Sequence, residues 1–360
     1  MKVCILSMQK IQNFGSLLQA YGLKKMIEDL GHEVYFLDIK KIDADYELLG
    51  AQREIYKSEI TKNNDSYLRN LFFRIENKLQ NLKFEKFRKN YLEIDKIEPH
   101  YDVCVIGSDE VFNCLASGWW GFSSQLFGNV DEANKVISYA ASCGSTKYEN
   151  IPVSITQKIR ESFRKISAFS VRDVNTGDFV KHLCNKEIYF NLDPTLIYSF
   201  DSKIKEKKDY KLPSRYCIIY AYQDRINKIE EINAILDFCR KHKLIPLTIG
   251  GKQKWCKKHY ICTPFECMNA FKYADFVITD TFHGSIFSAK YADKYAIIIR
   301  ESNVNKLGDL VERIGIENHL INDINDLEKA YNLDVDKNKF YNFIEEERKN
   351  TYKYLKENIC

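Results

Sequence analysis

A chain of 360 residues exceeds one typical domain and fits two of about 150 residues each. A hydrophobic fraction of 45% and an aromatic fraction of 13% are enough to fill real cores, which excludes a disordered chain. With 54 basic against 50 acidic residues the net charge is only +4, so the balance calls for neither nucleic acid nor membrane as a partner.

The opening apolar run ends early at Gln9, Lys10 and Gln12. That predicts a first β-strand over residues 3–7, too short for the apolar region of a signal peptide. No apolar run reaches the ~18 residues needed to cross a bilayer, and a cytoplasmic location is expected. An amphipathic helix follows over residues 16–30, stopped at Gly31, then a strand over 33–38. This is a βαβ opening with a parallel sheet. At its strand-to-helix turn stands Asn13-Phe14-Gly15-Ser16, where a doubly wound domain cradles a ligand and glycine admits close approach. Asn13 as a turn residue and Ser16 as a helix cap account for the same turn without a ligand, and both readings stand. The pattern G-x-G-x-x-G is absent, which argues against NAD or FAD.

Residues 40–98 form a charged, helical insertion, basic in its second half at Arg69, Arg74, Lys78, Lys83, Lys86, Arg88 and Lys89. Tyr67, Phe72, Phe73, Phe84 and Phe87 recur at helical spacing and are expected to be buried, with the lysines solvated. Peripheral contact with a membrane surface is the second reading of this stretch.

The βα rhythm resumes with strands at 101–106 and 136–141, a helix near 155–166 and a strand at 168–171. The first of these exits into Gly107-Ser108-Asp109-Glu110-Val111-Phe112-Asn113. Ser108, Asp109 and Asn113 are short hydrogen-bonding side chains suited to sugar hydroxyls, or to taking a proton from one; a plain cap and turn is the bland alternative. Ser170-Val171-Arg172-Asp173 ends another strand. Its arginine fork suits a carboxylate or phosphate, or else a salt bridge to Asp173 or another acid. Leu192-Asp193-Pro194-Thr195 reads as a structural turn.

Residues 199–214 are charged, contain Pro213, and read as a linker between a first domain over 1–198 and a second over 215–335. The second series has strands at 216–221, 244–249, 276–279 and 295–299, and helices over 226–242, from Pro264, and over 285–291. A charged helix within residues 336–360 is expected to pack back across the domains. Two Rossmann-like domains facing a cleft are the simplest architecture. The eleven cysteines of a long, apparently intracellular chain are not expected to form disulfides. Cys4, Cys104, Cys217 and Cys239 lie in apolar runs as small core residues, while the spacing of Cys256, Cys262 and Cys267 around His259 fits no common zinc pattern.

The richest segment is Ile278-Thr-Asp-Thr-Phe-His283-Gly284-Ser285-Ile-Phe-Ser-Ala-Lys-Tyr291. An apolar strand stops at a polar loop and a helix follows. His283 and Gly284 then sit at the carboxyl end of a strand, where open α/β sheets bind ligands. A helix N-terminus there offers N–H groups and partial positive charge to an anion, and histidine exchanges a proton near neutral pH. A lone histidine is more often a satisfied polar residue than a catalyst; it is the position that favours chemistry.

Six segments in order resemble the polysaccharide pyruvyl transferase family: Asn13-Phe-Gly15, Gly107-Ser-Asp109-Glu-Val-Phe-Asn113, Ser138-Tyr-Ala-Ala-Ser142, Ser170-Val-Arg172-Asp173, Leu192-Asp193-Pro194 and Phe282-His283-Gly284. Glu110 and Phe112 stand where Gln and Trp are more usual. The resemblance implies a fold like the two-domain GT-B glycosyltransferases. It also implies transfer of the pyruvyl group of phosphoenolpyruvate onto two hydroxyls of a sugar, giving a cyclic ketal and phosphate. The acceptor would be a cell-surface polysaccharide or a lipid-linked precursor. In that scheme His283 is the general acid and Asp109 the base. Arg172, Gly284, Ser285 and Lys306 contact the donor, and Asn13, Gly15, Ser108 and Asn113 line the acceptor side. No metal and no cofactor are called for; phosphoenolpyruvate is a co-substrate. A GT-B glycosyltransferase using a nucleotide sugar, and a non-catalytic sugar- or anion-binding protein, are the competing readings.

Overall fold

The computed structural model describes residues 1–40, 67–115, 122–300, 304–334 and 336–360. The side chains of 67–73, 305 and 306 lie outside that description, among them Tyr67, Arg69, Phe72, Phe73 and Lys306. The chain divides into two compact units, residues 1–11 with 19–198 and 347–360, and residues 12–18 with 199–346. Each has the doubly wound α/β form expected of a Rossmann-like domain.

The first unit is built on β1 (Lys2–Leu6), β2 (Glu33–Leu37), β3 (Tyr101–Asp109), β4 (Ala133–Ala141), β5 (Ile166–Val171) and β6 (Ile188–Phe190). They pair in the order β2-β1-β3-β4-β5-β6, all parallel. Strands covered on both faces read as unbroken apolar runs, and Val3, Cys4, Ile5 and Leu6 are accordingly fully buried. The helices are α1 (Phe14–Asp29, of this unit from residue 19 on), α2 (Tyr67–Phe87), α3 (Val153–Phe163), α4 (Val174–Leu183) and the single turn α5 (Pro194–Ile197). The core gathers Phe112, Phe122, Phe127, Phe163 and Phe169.

The second unit holds β7 (Tyr216–Tyr220), α6 (Ile229–Lys241), β8 (Ile245–Thr248), β9 (Lys258–His259), α7 (Pro264–Lys272), β10 (Phe276–Thr279), α8 (Phe282–Tyr291), β11 (Tyr295–Ile298), α9 (Val304–Ile314), β12 (Leu320–Ile321) and α10 (Leu327–Tyr331). Its strands run in the order β12-β11-β10-β7-β8-β9, again parallel. The stretch 199–214 groups with this unit: Asn269 Nδ2 donates to Lys205 O (3.0 Å) and Tyr260 hydroxyl to Asp209 Oδ2 (2.8 Å). The last helix, α11 (Lys337–Ile359), is shared, its residues from 347 on belonging to the first unit. There Tyr354 hydroxyl donates to Ser138 O at 2.7 Å and Arg348 Nε to Ile197 O at 2.9 Å. Among the described residues no helix is long and apolar enough to cross a membrane.

One expectation is corrected within the first unit. β3 runs on to Asp109, because Gly107 pairs with Tyr139 and Asp109 with Ala141, so Ser108 and Asp109 end a strand rather than open a loop. Phe84 and Phe87 of α2 are buried as expected, and Arg88 is buried beside them. Its guanidinium donates to the carbonyls of Gln9 (2.8 Å), Lys10 (3.0 Å) and Ile11 (3.0 Å), filling the turn after β1.

Lys24 on α1 is buried, with its ammonium 2.7 Å from Glu93 and 3.3 Å from Glu28. The hydrogen bond from Lys24, then that from Lys96, pulls the Glu93 carboxyl down to about 2 from its ordinary 4.5. A depressed carboxyl stabilises the fold above its unfolded value, and that contribution is lost as pH falls through the folded one. Glu93→Gln is therefore expected to flatten the loss of stability between pH 4.5 and about 2. Urea midpoints measured across that window check this, and parallel decline of wild type and variant would count against the pairing.

Candidate functional site

In open parallel sheets ligands bind outside the carboxyl ends of the strands, where the strand order reverses. In the first unit that point lies between β1 and β3. The two exits are tied by Ser7, whose hydroxyl donates to Ser108 O at 3.0 Å. Gly107 has φ +130, and a Cβ there would stand 2.1 Å from Tyr139 O, so only glycine fits. Asp109 follows at φ +78, a left-handed conformation that is costly for an aspartate and is found preferentially at functional sites.

Around that turn the structure brings Ser108, Asp109 and Arg172 together. Ser108 and Arg172 share a partner in Asp193, fully buried, which the sequence presents as a plain turn residue. Arg172 Nη1 lies 2.8 Å from Asp193 Oδ2 and 3.8 Å from Asp109 Oδ1. Ser108 hydroxyl donates to Ala140 O (3.1 Å) and reaches the same Asp193 oxygen at 3.3 Å. The other oxygen, Asp193 Oδ1, accepts from the Thr195 amide (2.9 Å) and hydroxyl (2.6 Å). Of the two readings open for Arg172, the salt bridge to an acid is present, and the acid is Asp193 rather than Asp173. Asp173 caps α4, accepting from the Thr176 amide at 2.8 Å, and takes a second bond from Ser142 hydroxyl at 2.7 Å. Burial lowers the Arg172 pKa, but the carboxylates of Asp193, Asp109, Asp173 and Glu110 more than offset it, so the group stays above its ordinary value. Asn113 belongs to a neighbouring set: its amide donates to Glu110 Oε2 (3.0 Å) and accepts from Thr146 hydroxyl (2.7 Å). The cluster is acidic and rich in small polar side chains, with Asp109 at its partly exposed edge, the composition suited to hydroxyl groups.

In the second unit the order reverses between β7 and β10. β10 ends at Thr279, whose hydroxyl donates to Tyr220 O at 2.7 Å, and α8 begins three residues on. Thr281 caps the helix by accepting from the Gly284 amide at 3.0 Å. Ser285 hydroxyl donates to Thr281 O at 2.9 Å. The polar groups of Gly284 and Ser285 thus serve the cap, and a Cβ on Gly284 would stand 2.1 Å from Thr279 Oγ1.

His283 is 8% exposed. Its ring lies against the backbone of Gly15, where a Cβ would stand 2.1 Å from Cγ and 2.2 Å from Nδ1 of the imidazole. Residues 12–18 belong to this unit, so the Gly15 turn forms a wall of the histidine's seat. Asn13 Oδ1 accepts from the Gly15 amide at 2.7 Å, the turn role weighed for it, and holds that wall in place. The rings of Phe282 and Phe287 have centroids 5.4 and 6.2 Å from the imidazole.

Beside this seat lies a set that sequence reasoning did not single out. Asp280, fully buried, has Oδ2 3.3 Å from Nε of Arg225, beyond β7, and 3.3 Å from Nε of Arg300, beyond β11. Arg300 also grips Glu231 in two-point fashion, Nη1 to Oε1 at 2.6 Å and Nη2 to Oε2 at 3.2 Å. Burial raises the Asp280 carboxyl above its ordinary value, with Arg225 and Arg300 pulling the other way. The usable sequence signal was a charged residue shortly after each apolar strand.

Two doubly wound sheets, each with polar and ionisable side chains at its point of reversal, define a two-unit α/β protein of the Rossmann-like kind. The family model of polysaccharide pyruvyl transferase matches residues 13–292, and the chain belongs to that family. Among solved structures it is similar to a UDP-N-acetylglucosamine 2-epimerase (10% identity, TM-score 0.49, 98% of this chain and 94% of that one). It is also similar to UDP-GlcNAc 2-epimerase from Methanocaldococcus jannaschii (11%, 0.46, 95% and 98%) and to the glycotransferase of kitacinnamycin (9%, 0.47, 100% and 99%). No curated protein sequence matches it.

Proposed function

We propose that this chain transfers the pyruvyl group of phosphoenolpyruvate onto two hydroxyls of one sugar in a cell-surface polysaccharide or its lipid-linked precursor. The observation that carries the reading is His283, seated on Gly15 at the point of reversal of its sheet, in a chain of the pyruvyl transferase family. In the reaction the donor methylene gains a proton and becomes a methyl group. The adjacent carbon gains two C–O bonds to the sugar and loses its bond to phosphate. One hydroxyl proton balances the methyl group, and the other leaves with phosphate. His283 is the proposed acid for the methylene. Asp109, held by Arg172 at the edge of the acidic cluster, is the proposed base for an attacking hydroxyl. Ser108, Asn113, Asn13 and Gly15 are the proposed acceptor side. Arg172 and the first turn of α8, with Gly284 and Ser285, remain proposed donor contacts. Arg172 already shares its charge with four carboxylates, so it is not expected to hold the donor alone. Lys306 is a further proposed donor contact.

Calorimetric titration with phosphoenolpyruvate, with UDP and GDP as controls, tests the reading without knowledge of the acceptor. Saturable phosphoenolpyruvate binding with no nucleotide binding is the expected result. Nucleotide binding in its place would overturn the pyruvyl donor and favour a glycosyltransferase.

A further inference from the structure

We propose that Arg225 and Arg300, gathered on Asp280 at the exits of β7, β10 and β11, form the anion subsite that binds the negatively charged groups of the donor. The assignment rests on the phosphoenolpyruvate reading and names residues that reading does not contain.

Charge decides first. Phosphoenolpyruvate carries roughly three negative charges near neutral pH, one on its carboxylate and the rest on phosphate. Arg172 stands among Asp193, Asp109, Asp173 and Glu110, so the field around it is net negative. In the second unit, among the described residues paired here, the charges of Arg225 and Arg300 balance those of Asp280 and Glu231. The N-terminal end of the ten-residue α8 then adds positive potential on the same loop.

Exposure points the same way. The side chains of Arg225 and Arg300 are 25% and 17% exposed, against 3% for Arg172. A ligand can reach the first two.

Geometry gives the third argument. Two guanidinium groups repel each other, yet both Nε atoms lie 3.3 Å from the same Asp280 oxygen. The buried carboxylate holds the pair together before any ligand arrives. Glu231 fixes the plane of Arg300, and the Arg225 guanidinium lies 5.4 Å from the centre of the Tyr222 ring. A planar fork fixed in this way is the donor that two-point recognition of carboxylate or phosphate requires. The site is also where the strand order β9-β8-β7-β10-β11-β12 reverses, with Arg225 on one side of the switch and Asp280 on the other.

A purely structural cluster would staple the three exits together and leave ligand affinity untouched, which separates the two roles. The test titrates the full chain with phosphoenolpyruvate and, separately, inorganic phosphate. It compares wild type with Arg225→Gln and with the double variant Arg300→Gln/Glu231→Gln, which leaves no carboxylate stranded. Thermal melts establish that each variant is folded, and Arg225→Gln carries the test alone if the double variant is not. Each arginine lost is expected to weaken phosphoenolpyruvate about tenfold or more, with a shallower dependence on salt. Variants that bind phosphoenolpyruvate as wild type does overturn the assignment and return the donor to Arg172. Arginine-dependent binding of phosphate, with none of phosphoenolpyruvate, would support the anion subsite and overturn the pyruvyl donor. A wild-type chain that binds neither overturns both.

Discussion

His283→Ala is expected to lower turnover by about a hundred- to ten-thousand-fold while phosphoenolpyruvate affinity stays within a few fold of wild type. The imidazole is held by packing: Gly15 closes one side, and the rings of Phe282 and Phe287 lie near it. An acid fixed this tightly needs no reorganisation when it meets the donor methylene. Removing it takes away a proton source but none of the arginines proposed to bind the donor. The two parameters should therefore separate, with kcat falling and KM nearly unchanged. His283→Gln fills more of the seat and distinguishes loss of the acid from loss of packing, because both variants should be equally slow. Phosphate release with donor and acceptor sugar is the measurement. Wild-type turnover in either variant would remove histidine from the chemistry and leave it a core residue.

The alternation of strands and helices was legible because parallel strands buried on both faces cannot hide polar residues. Lys-Val-Cys-Ile-Leu, Tyr-Cys-Ile-Ile-Tyr and Phe-Val-Ile-Thr stand out from any surrounding stretch. Strand order was not legible, since no local pattern says that β7 pairs with β10 rather than with β12. The same division runs through the site. Asp109, Arg172 and His283 could be picked out because each follows an apolar run. Their partners could not, because charge neutralisation acts across strands. Asp193 looked like a turn residue before proline, yet it is the counter-ion of Arg172. Arg225 and Arg300 look like surface charges until Asp280 is seen beneath them. Gly15 reads equally as a ligand contact and as part of a plain turn; its missing side chain leaves room for the ring of His283, which no local pattern announces.

Arg172→Met should cost the fold about 3–5 kcal/mol, the range found when one partner of a buried ion pair is removed. The arginine side chain is 3% exposed and Asp193 has no exposure at all, so methionine would leave a carboxylate in the interior without its cation. Asp193 keeps the Thr195 amide and hydroxyl on Oδ1 and the longer Ser108 bond on Oδ2, none of them a cation. Arg172→Met/Asp193→Asn removes the charge as well and should recover a large part of the loss, since an amide can still accept from Thr195. Urea unfolding of the full chain reads both variants, and a single variant within about 1 kcal/mol of wild type would mean the pair is not buried as described. The recovered double variant also tests Arg172 as a donor contact together with its neighbour Asp109. It lies 3.8 Å from the same guanidinium, and with arginine and Asp193 both neutralised it faces fewer fixed charges. If Asp109 is the base or Arg172 a donor contact, restored folding should come without restored turnover, because the carboxylate has lost the cation that sets its position and the donor has lost a contact. Stability and catalysis would then part at one residue, which a purely structural Arg172 could not produce.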